Sequence, residues 1–272
     1  MSPWTKRKPH DRIERCAPPA PLAPFVESLA GRRARVAPAR FRILPTGRAE
    51  LMFHFADPFL AGQANSLEPL APVALLGPRD TAYWQGAGPE IDWFLIQLTP
   101  LGLRRLLGMS FAESWNLVSA VPGLARLYEA MALAPGFAER VALASAWIGQ
   151  RCGRDCDNAP YSRLATLVRE GRVRGPDAMA ALLGTGARNL RQRFSAEIGI
   201  GPKRFCSLVR FNRQLSARHP LLADKHDHAL AEYADESHAA REFRRFAGVT
   251  PGIYRAAKTD DALVFTLAET LP

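Results

Sequence analysis

The stretch Phe194-Ser-Ala-Glu-Ile-Gly-Ile-Gly-Pro-Lys-Arg-Phe205 recurs 49 residues later as Phe243-Arg-Arg-Phe-Ala-Gly-Val-Thr-Pro-Gly-Ile-Tyr254. Phenylalanine, glycine, proline and a final aromatic residue keep the same spacing in both copies. Glycine adopts the left-handed conformation that ends many helices, and proline is favoured in the first turn of the next helix. The repeat therefore predicts two similar helical units, each with one helix ending at its glycine and another beginning near its proline.

The residues before the first copy predict a helix-turn-helix. From Met179 to Phe194 the chain shows a short apolar helix, a turn containing Gly184 and Gly186, and a second helix. Gly186 is the predicted N-cap of that second helix. One face of this helix is predicted to be apolar, and it carries Ala187, Leu190, Phe194 and Ile198.

The opposite face of the same helix is polar and suits the major groove of DNA. Arginine can bind guanine through two hydrogen bonds, and asparagine or glutamine can bind adenine in the same way. An ordinary solvated helix face is the alternative interpretation. The candidate DNA-binding residues of this helix are Arg188, Asn189, Arg191, Gln192 and Ser195.

The helix before the second copy has a similar pattern, with Asp235 as its predicted N-cap. Ala239, Phe243 and Phe246 are predicted to face inward. The candidate DNA-binding residues on the outward face are Ser237, His238, Arg241 and Arg245.

The segment from Ala234 to Arg255, with Asp-Glu-Ser-His, Arg-Glu-Phe, Gly-Val-Thr-Pro and Tyr-Arg in order, resembles the C-terminal signature of the AraC/XylS family of bacterial transcription regulators. The stretch from Leu183 to Phe194 is similar to the first recognition element of that family. The resemblance implies two helix-turn-helix units joined by a central helix, here from Pro202 to about Arg218, and recognition helices that enter successive major grooves of double-stranded DNA.

Two features predict that the units are unequal. Glu232, His228 and Ala239 stand where the family usually has glycine, a small alanine and a bulky apolar residue, so we expect the second unit to be looser or differently packed. Residues 163–218 carry 12 Lys and Arg against 3 Asp and Glu, a net charge of +9, whereas residues 219–257 carry 5 against 6, a net charge of −1. Since phosphate contacts supply most non-specific affinity for DNA, the first unit is the predicted electrostatic anchor.

The N-terminal half has short apolar runs separated by glycine and proline, a pattern typical of strands. The predicted strands lie at 41–44, 50–55, 73–76 and 91–98. Many short strands favour a small barrel or sandwich. The segments Leu44-Pro-Thr-Gly-Arg-Ala-Glu-Leu-Met-Phe-His54 and Phe94-Leu-Ile-Gln-Leu-Thr-Pro-Leu-Gly102 are similar to cupin-like sensor domains that precede some AraC-type DNA-binding domains. That resemblance implies a barrel that binds a small-molecule effector or assists dimerisation.

Alternation along the strand at 50–55 places Glu50 and His54 on one face. If this face lines the barrel, these side chains could contact a polar ligand, although a buried, hydrogen-bonded histidine is the more common situation. The residues of the predicted effector pocket are Glu50, His54, Trp84, Trp93 and Gln97.

The sequence thus predicts an α+β multidomain protein in five segments. They are a flexible basic tail (1–21), a cupin-like β-barrel sensor domain (22–110), a helical linker and dimerisation region (111–160), an all-α tandem helix-turn-helix domain (161–258) and a C-terminal tail (259–272). Residues 1–15 lack a secretory signal and no apolar run approaches the length of a membrane span, so we expect a cytoplasmic protein without a membrane partner.

The leading functional prediction is a sequence-specific transcription regulator that binds double-stranded DNA. Its further predicted partners are RNA polymerase, a small-molecule effector and a second copy of the chain. A DNA-modifying or repair enzyme is the first alternative, but Cys16 and Cys206 have no supporting histidine or acid pattern nearby. A metal-dependent cupin enzyme is the second, and it would need more histidines than His10 and His54 in this half. The sequence predicts no catalytic residue, no metal site and no cofactor.

Overall fold

The structure is a computed structural model that describes residues 13–36, 38–63, 65–152, 160–218 and 236–252. For residues 39, 41, 214–218 and 236–239 it describes the backbone alone. Within the described part of the chain, no helix is long and apolar enough to cross a membrane.

Ten strands lie in the described residues of the N-terminal part. These are β1 (Glu14–Cys16), β2 (Val26–Arg35), β3 (Ala39–Ile43), β4 (Ala49–His54), β5 (Leu60–Gln63), β6 (Ser66–Pro69), β7 (Val73–Leu76), β8 (Tyr83–Ala87), β9 (Glu90–Leu98) and β10 (Val118–Ala120). They form a six-stranded sheet with the order β1-β2-β9-β4-β7-β10 and a four-stranded sheet with the order β3-β8-β5-β6. All the described pairs are antiparallel.

The two sheets pack face to face, and alternation along β4 separates two apolar layers. Met52 faces the four-stranded sheet and packs in a cluster with Ile43 and Trp93. Leu51 and Phe53 face the other way, toward the helices. Among the described strands no pairing joins the sheets, so the β domain consists of two facing sheets rather than a closed ring of hydrogen-bonded strands.

Nine helices follow or interrupt the strands in the described residues. These are α1 (Pro100–Leu107), α2 (Phe111–Ser114), α3 (Ala125–Ala132), α4 (Phe137–Cys152), α5 (Pro160–Arg169), α6 (Gly175–Leu182), α7 (Ala187–Ile198), α8 (Pro202–Arg218) and α9 (Glu236–Ala247). The α+β organisation, with an N-terminal β domain, connecting helices and a C-terminal helical domain, confirms the predicted fold class.

An ion pair fixes α4 on the outer face of the six-stranded sheet. The Arg140 guanidinium binds the Asp92 carboxylate of β9, and Arg33 of β2 binds the same carboxylate at 2.7 Å. Burial alone would raise the pKa of Asp92, but the hydrogen bonds and charges of Arg140 and Arg33 hold it below its usual value. Arg140 also stacks on Phe55, 4.0 Å from the ring centroid. The buried charges are therefore neutralised where helix and sheet meet.

The described parts of both repeat copies form the predicted helix junctions. Gly199 and Gly248 have φ angles of 87° and 71°, the left-handed conformation expected after a helix. The amide of Gly199 donates to the Ser195 carbonyl, which closes α7. Pro202 begins α8, and Pro251 and Gly252 are helical at the end of the described residues, as the spacing predicts. Asp235, His228 and Glu232 lie outside the described residues.

Two strands lie in segments that the sequence assigned to other structure. Glu14–Cys16 pairs with β2, so the sheet begins inside the segment that the sequence predicts to be a flexible tail. Val118–Ala120 pairs with β7 inside the segment that was interpreted as helical. Neither strand has more than three residues, too few to show alternation, and each is held by the ladder of its neighbour.

We expect Gly199→Ala to destabilise the protein more than Gly184→Ala. Both glycines have positive φ, which costs a residue with a side chain about 1–2 kcal/mol. A Cβ at Gly199 would also lie 2.6 Å from the Cα of Ala112, whereas a Cβ at Gly184 would meet nothing within 4 Å. Overpacking should add about 1–3 kcal/mol at Gly199 only. Urea unfolding measures both losses, and equal losses would show that α7 does not pack against α2.

Candidate nucleic-acid interface and effector site

The second helix of the first helix-turn-helix is held by its apolar face. Leu190, Phe194 and Ile198 are buried, and the Phe194 ring contacts Phe205 of α8 edge-on with centroids 5.4 Å apart. Gly186 is the N-cap, as predicted, and its carbonyl accepts from the amide of Leu190. Packing on one side therefore leaves the opposite side of α7 to solvent.

The predicted reading residues of α7 lie on that open side. Arg188, Asn189, Arg191 and Gln192 are exposed, and Ser195 is half-buried. Asn189 is tied locally, because its amide donates to the Thr185 hydroxyl at 2.6 Å and its carbonyl oxygen accepts from Arg193 Nε at 3.3 Å. The remaining arginine and glutamine side chains have the donors and acceptors that base edges require.

The side chains of α9, the predicted recognition helix of the second unit, are described from residue 240 onward. Phe243 and Phe246 of α9 are buried against Phe211 of α8, with ring centroids 5.3 and 5.0 Å apart. Arg241 and Arg245 are exposed, as predicted. Arg244 is also exposed, although it is not among the DNA-binding candidates predicted from the sequence. The sequence alone does not show which of two adjacent arginines on a short helix faces outward. Ser237 and His238 lie in α9 where the backbone alone is described.

Four of the five predicted effector residues share the face of the six-stranded sheet that meets the four-stranded sheet. Glu50 is opposite Gln97 in the β4–β9 pair, and His54 is opposite Trp93. Gln97 donates to Glu50 Oε1 at 3.1 Å and accepts from the Ser28 hydroxyl at 2.6 Å. Burial raises the pKa of Glu50, despite the hydrogen bond from Gln97 and nearby arginine charges. We call Ser28, Glu50, His54 and Gln97 the inter-sheet polar site.

His54 is buried and neutral at the edge of this site. Its Nδ1 lies 3.3 Å from the Ala71 carbonyl oxygen, so Nδ1 carries the proton and Nε2 is left as an acceptor. Within the described residues no group donates to Nε2, which is buried. Desolvation lowers the pKa of His54 to about 4. A buried acceptor without a protein donor is where a ligand hydroxyl or amine could bind.

Trp84 is not part of this arrangement. It is opposite Arg42 in the β3–β8 pair, and the Arg42 guanidinium lies 5.1 Å from the centroid of its ring. Its neighbours Tyr83 and Gln85 point to the other face of β8, because side chains alternate along a strand. The structure therefore separates Trp84 from the other four residues of the predicted pocket, which share the inner face of the six-stranded sheet.

Sequence reasoning missed polar residues on the opposing sheet. Tyr83 is stacked under the Arg79 guanidinium, 3.9 Å from the ring centroid, and its hydroxyl accepts from Gln85 at 3.2 Å. Burial raises the pKa of Tyr83, which therefore stays protonated at neutral pH. The alternation of Tyr83 and Gln85 along a five-residue segment was the available signal.

A DNA-modifying or repair enzyme would need a reactive cysteine, and the described thiols do not favour one. Burial raises the pKa of both Cys16 and Cys206, which disfavours the reactive thiolate. Cys206 packs against Met179, with its sulfur 3.6 Å from the methionine sulfur. In the described part of the chain, no three His, Cys, Asp or Glu residues come together as a metal site.

Comparison with known proteins gives one domain match and several similar structures. Residues 14–118 match a domain of unknown function, DUF6597. No curated protein matches the chain. Apo ToxT K231A from Vibrio cholerae is 12% identical with a TM-score of 0.46, covering 84% of this chain and 96% of that one. Fatty acid-bound ToxT from the same species has 12% identity, a TM-score of 0.42 and coverages of 85% and 99%.

A further similar structure is CuxR, an AraC-like transcriptional activator. It is 13% identical with a TM-score of 0.29, and the similarity covers 75% of this chain and 86% of CuxR. At these identities and TM-scores the solved structures assign no function to this chain. The arrangement of a β domain before a helix-turn-helix domain is the one that the resemblance to the AraC/XylS family implies.

We expect acid to destabilise the protein through His54. The unfolded imidazole titrates near the ordinary histidine value of 6.5 and the folded one has a pKa of about 4, so the unfolded state binds more protons between these values. Stability is then complete above about pH 6.5 and falls by about 2 kcal/mol by pH 5. Urea unfolding of His54→Gln should lack this loss. The raised pKa of Glu50 makes acid stabilise the fold, which opposes the effect of His54. The test is therefore the difference in unfolding free energy between the variant and the parent at each pH. Identical pH dependence of the two proteins would contradict the lowered pKa of His54.

Proposed function

We propose that this chain is a sequence-specific, DNA-binding transcription regulator that reads two successive major grooves with α7 and α9. One observation carries the proposal: α7 buries Leu190, Phe194 and Ile198 while it exposes Arg188 and Gln192 on its opposite side. A helix fixed on one side and polar on the other is the element that helix-turn-helix proteins place in the major groove. The proposed activity is therefore binding rather than catalysis, in the bacterial cytoplasm.

Charge and family signature support the same proposal. The net charge of +9 between residues 163 and 218 surrounds α7, and phosphate contacts made by such residues supply non-specific affinity. The segment from Ala234 to Arg255 carries the signature that resembles the AraC/XylS family, and Arg241, Arg244 and Arg245 are exposed within it. Regulation of transcription requires that the bound protein recruits or blocks RNA polymerase, which is the proposed protein partner.

We further propose that a small polar effector binds at the inter-sheet polar site. The hydrogen-bonded series Ser28–Gln97–Glu50 and the buried Nε2 acceptor of His54 support this location. Such a site binds a ligand with hydroxyl or amine donors. The effector changes DNA binding only if its affinity differs between two states of the protein.

The experiment that tests the regulator is selection of genomic DNA fragments bound by the purified chain at physiological salt. The selection is run with and without the metabolites of neighbouring pathways. Enrichment of one sequence with two half-sites about one helical turn apart is the expected result. Failure to enrich any sequence would reject the proposed function.

The two units should contribute unequally to DNA affinity. Arg188→Ala should weaken binding to an enriched fragment more than Arg241→Ala, because Arg188 lies in the unit with a net charge of +9. Loss of a phosphate contact should also reduce the slope of log affinity against log salt by about 1. Salt titrations measure both effects. Arg126→Ala, which removes an exposed charge from α3, is the control. Equal losses for Arg188→Ala and Arg241→Ala would contradict the asymmetry.

We propose that a second copy of the chain covers an apolar groove between α3 and α4. The groove is lined by Leu133, Leu143, four alanines and Glu139, and Leu133 is 88% exposed. Leu133→Glu should dissociate the homodimer, because it replaces an apolar contact with a second carboxylate beside Glu139. Sedimentation velocity measures the change. Leu182→Glu, on an exposed leucine of α6, is the matched control. A monomeric parent protein would reject this interface.

A further inference from the structure

The apolar core beneath α9 is built from both domains. Leu208 and Phe211 of α8 pack with Phe243 and Phe246 of α9. Leu44, which lies between β3 and β4, is a buried member of the same cluster and is only 4% exposed. Trp115 and Ala82 of the N-terminal part pack against this cluster too. The core of the second unit therefore contains side chains that lie more than a hundred residues away in the sequence.

The turn that carries Leu44 is bound to the helical domain along its length. We call residues 44–48 the docking turn. The Asn212 amide of α8 donates to the carbonyl oxygens of Pro45 and Thr46 at 3.2 and 3.3 Å. Gly47 is so close to α8 that a Cβ there would lie 2.4 Å from Leu208 Cδ2. Only glycine allows this approach, and its φ of 64° is one that glycine adopts without strain.

At its other end, the docking turn is held by buried ion pairs. Arg48 Nε lies 2.6 Å from Glu27 Oε2, and Arg169 Nη1 of α5 lies 3.1 Å from Glu27 Oε1. Arg169 also donates to the Gly47 carbonyl at 2.6 Å. Burial alone would raise the pKa of Glu27, but the two arginines hold it below its usual value, so the carboxylate stays charged. Removing one partner would leave a buried charge uncompensated.

The β domain also contacts the C-terminal end of α9 directly. Arg42 of β3 donates to the Ala247 carbonyl at 3.2 Å, and Ala247 is the last residue of α9. Carbonyl groups at a helix C-terminus lack intrahelical donors and carry partial negative charge, which a guanidinium stabilises. Gly248, just beyond, would place a Cβ 3.0 Å from Arg42 Nη1. The β domain therefore supplies both core and cap to α9.

The first unit differs in that several helices of its own domain pack beneath α7, although this core continues into the core of the β domain. Leu190 and Phe194 pack with Phe205 of α8 and with residues of α5 and α6. The Ser162 amide and hydroxyl at the start of α5 donate to Glu197 of α7 at 3.0 and 2.7 Å. The connecting helix α2 also packs against the C-terminal end of α7, where Gly199 meets Ala112.

We propose that the β domain is a structural part of the second reading unit, so that α9 is ordered only while the docking turn and Arg42 are in place. Loss of docking then releases α9 while α7 stays folded and keeps the basic surface. DNA binding would change in two stages, with site reading lost before electrostatic anchoring. This inference goes beyond the proposed function, because it concerns the folding of α9 and is tested without DNA.

Hydrogen exchange of the full-length chain, measured by mass spectrometry without DNA, tests the inference with Leu44→Ala. Truncating a buried leucine removes packing beneath α9, so amides at 241–248 should exchange about tenfold faster or more. Amides of α7 should exchange as in the parent. Leu22→Ala, which truncates a leucine of the β-domain core that is 8% exposed, is the matched control and should not accelerate α9 relative to α7. Unchanged exchange in α9, or equal acceleration of α7 and α9, would overturn the proposal.

A second variant, Arg42→Gln, leaves the apolar core intact. It removes the contact with the Ala247 carbonyl and should accelerate exchange in the last turn of α9 by about threefold. Arg35→Gln is its control, because Arg35 is an exposed arginine of the same domain paired with Glu90 at 2.6 Å. Acceleration with Arg42→Gln alone supports the proposal, and equal exchange in both variants overturns it. Both outcomes are independent of whether genomic fragments are enriched.

Discussion

A twelve-residue helix is marginally stable in water, and this constraint governs the whole C-terminal domain. The two proposed recognition helices, α7 and α9, have twelve residues each, and the proposed function requires one side of each helix to stay free for DNA. Each can therefore be stabilised only from its apolar side and at its ends. Phe194 and Ile198 secure α7 on one side, and Gly199 ends it with a left-handed residue. For α9 the same tasks fall to Phe243 and Phe246, together with Leu44 and Arg42 of another domain.

The six-stranded sheet links these helices to the inter-sheet polar site. Its helix-facing side carries Leu51 and Phe53, which join one continuous apolar core with α4 and the first helix-turn-helix. Its other side carries Glu50 and Gln97. A single strand, β4, therefore contributes to the main core and to the polar site in alternate residues. Polar groups are tolerated inside the β domain because hydrogen bonds join Ser28 to Gln97 and Gln97 to Glu50.

Local signals predicted the helical domain well and the β domain less completely. Gly186, Gly199 and Pro202 set the bounds of α7 and the start of α8 through backbone conformation alone, so the sequence predicted them to the residue. Strand β2, in contrast, is rich in arginine and alanine and has no alternating apolar pattern; its ladder with β9 holds it extended. The orientation of Trp84 depends on strand register, which no local signal fixed. Leu44 in the core under α9 is a tertiary contact that the repeat does not encode.

The unequal charges of the two units and the docking of α9 on the β domain together separate DNA attraction from base reading. In the proposed function, the first unit, with a net charge of +9, holds DNA through phosphate contacts whatever the state of α9. The second unit has a net charge of −1, so it contributes little electrostatic attraction to DNA. Its proposed contribution is base reading, which depends on where α9 is held. Arg48 of the docking turn is followed by β4, whose second residue is Glu50 of the polar site. A ligand that binds Glu50 more tightly in the docked state stabilises docking by the difference in its two affinities. That free energy can reach α9 across the few residues between Glu50 and Leu44, and the docking turn also contacts Arg169 of α5.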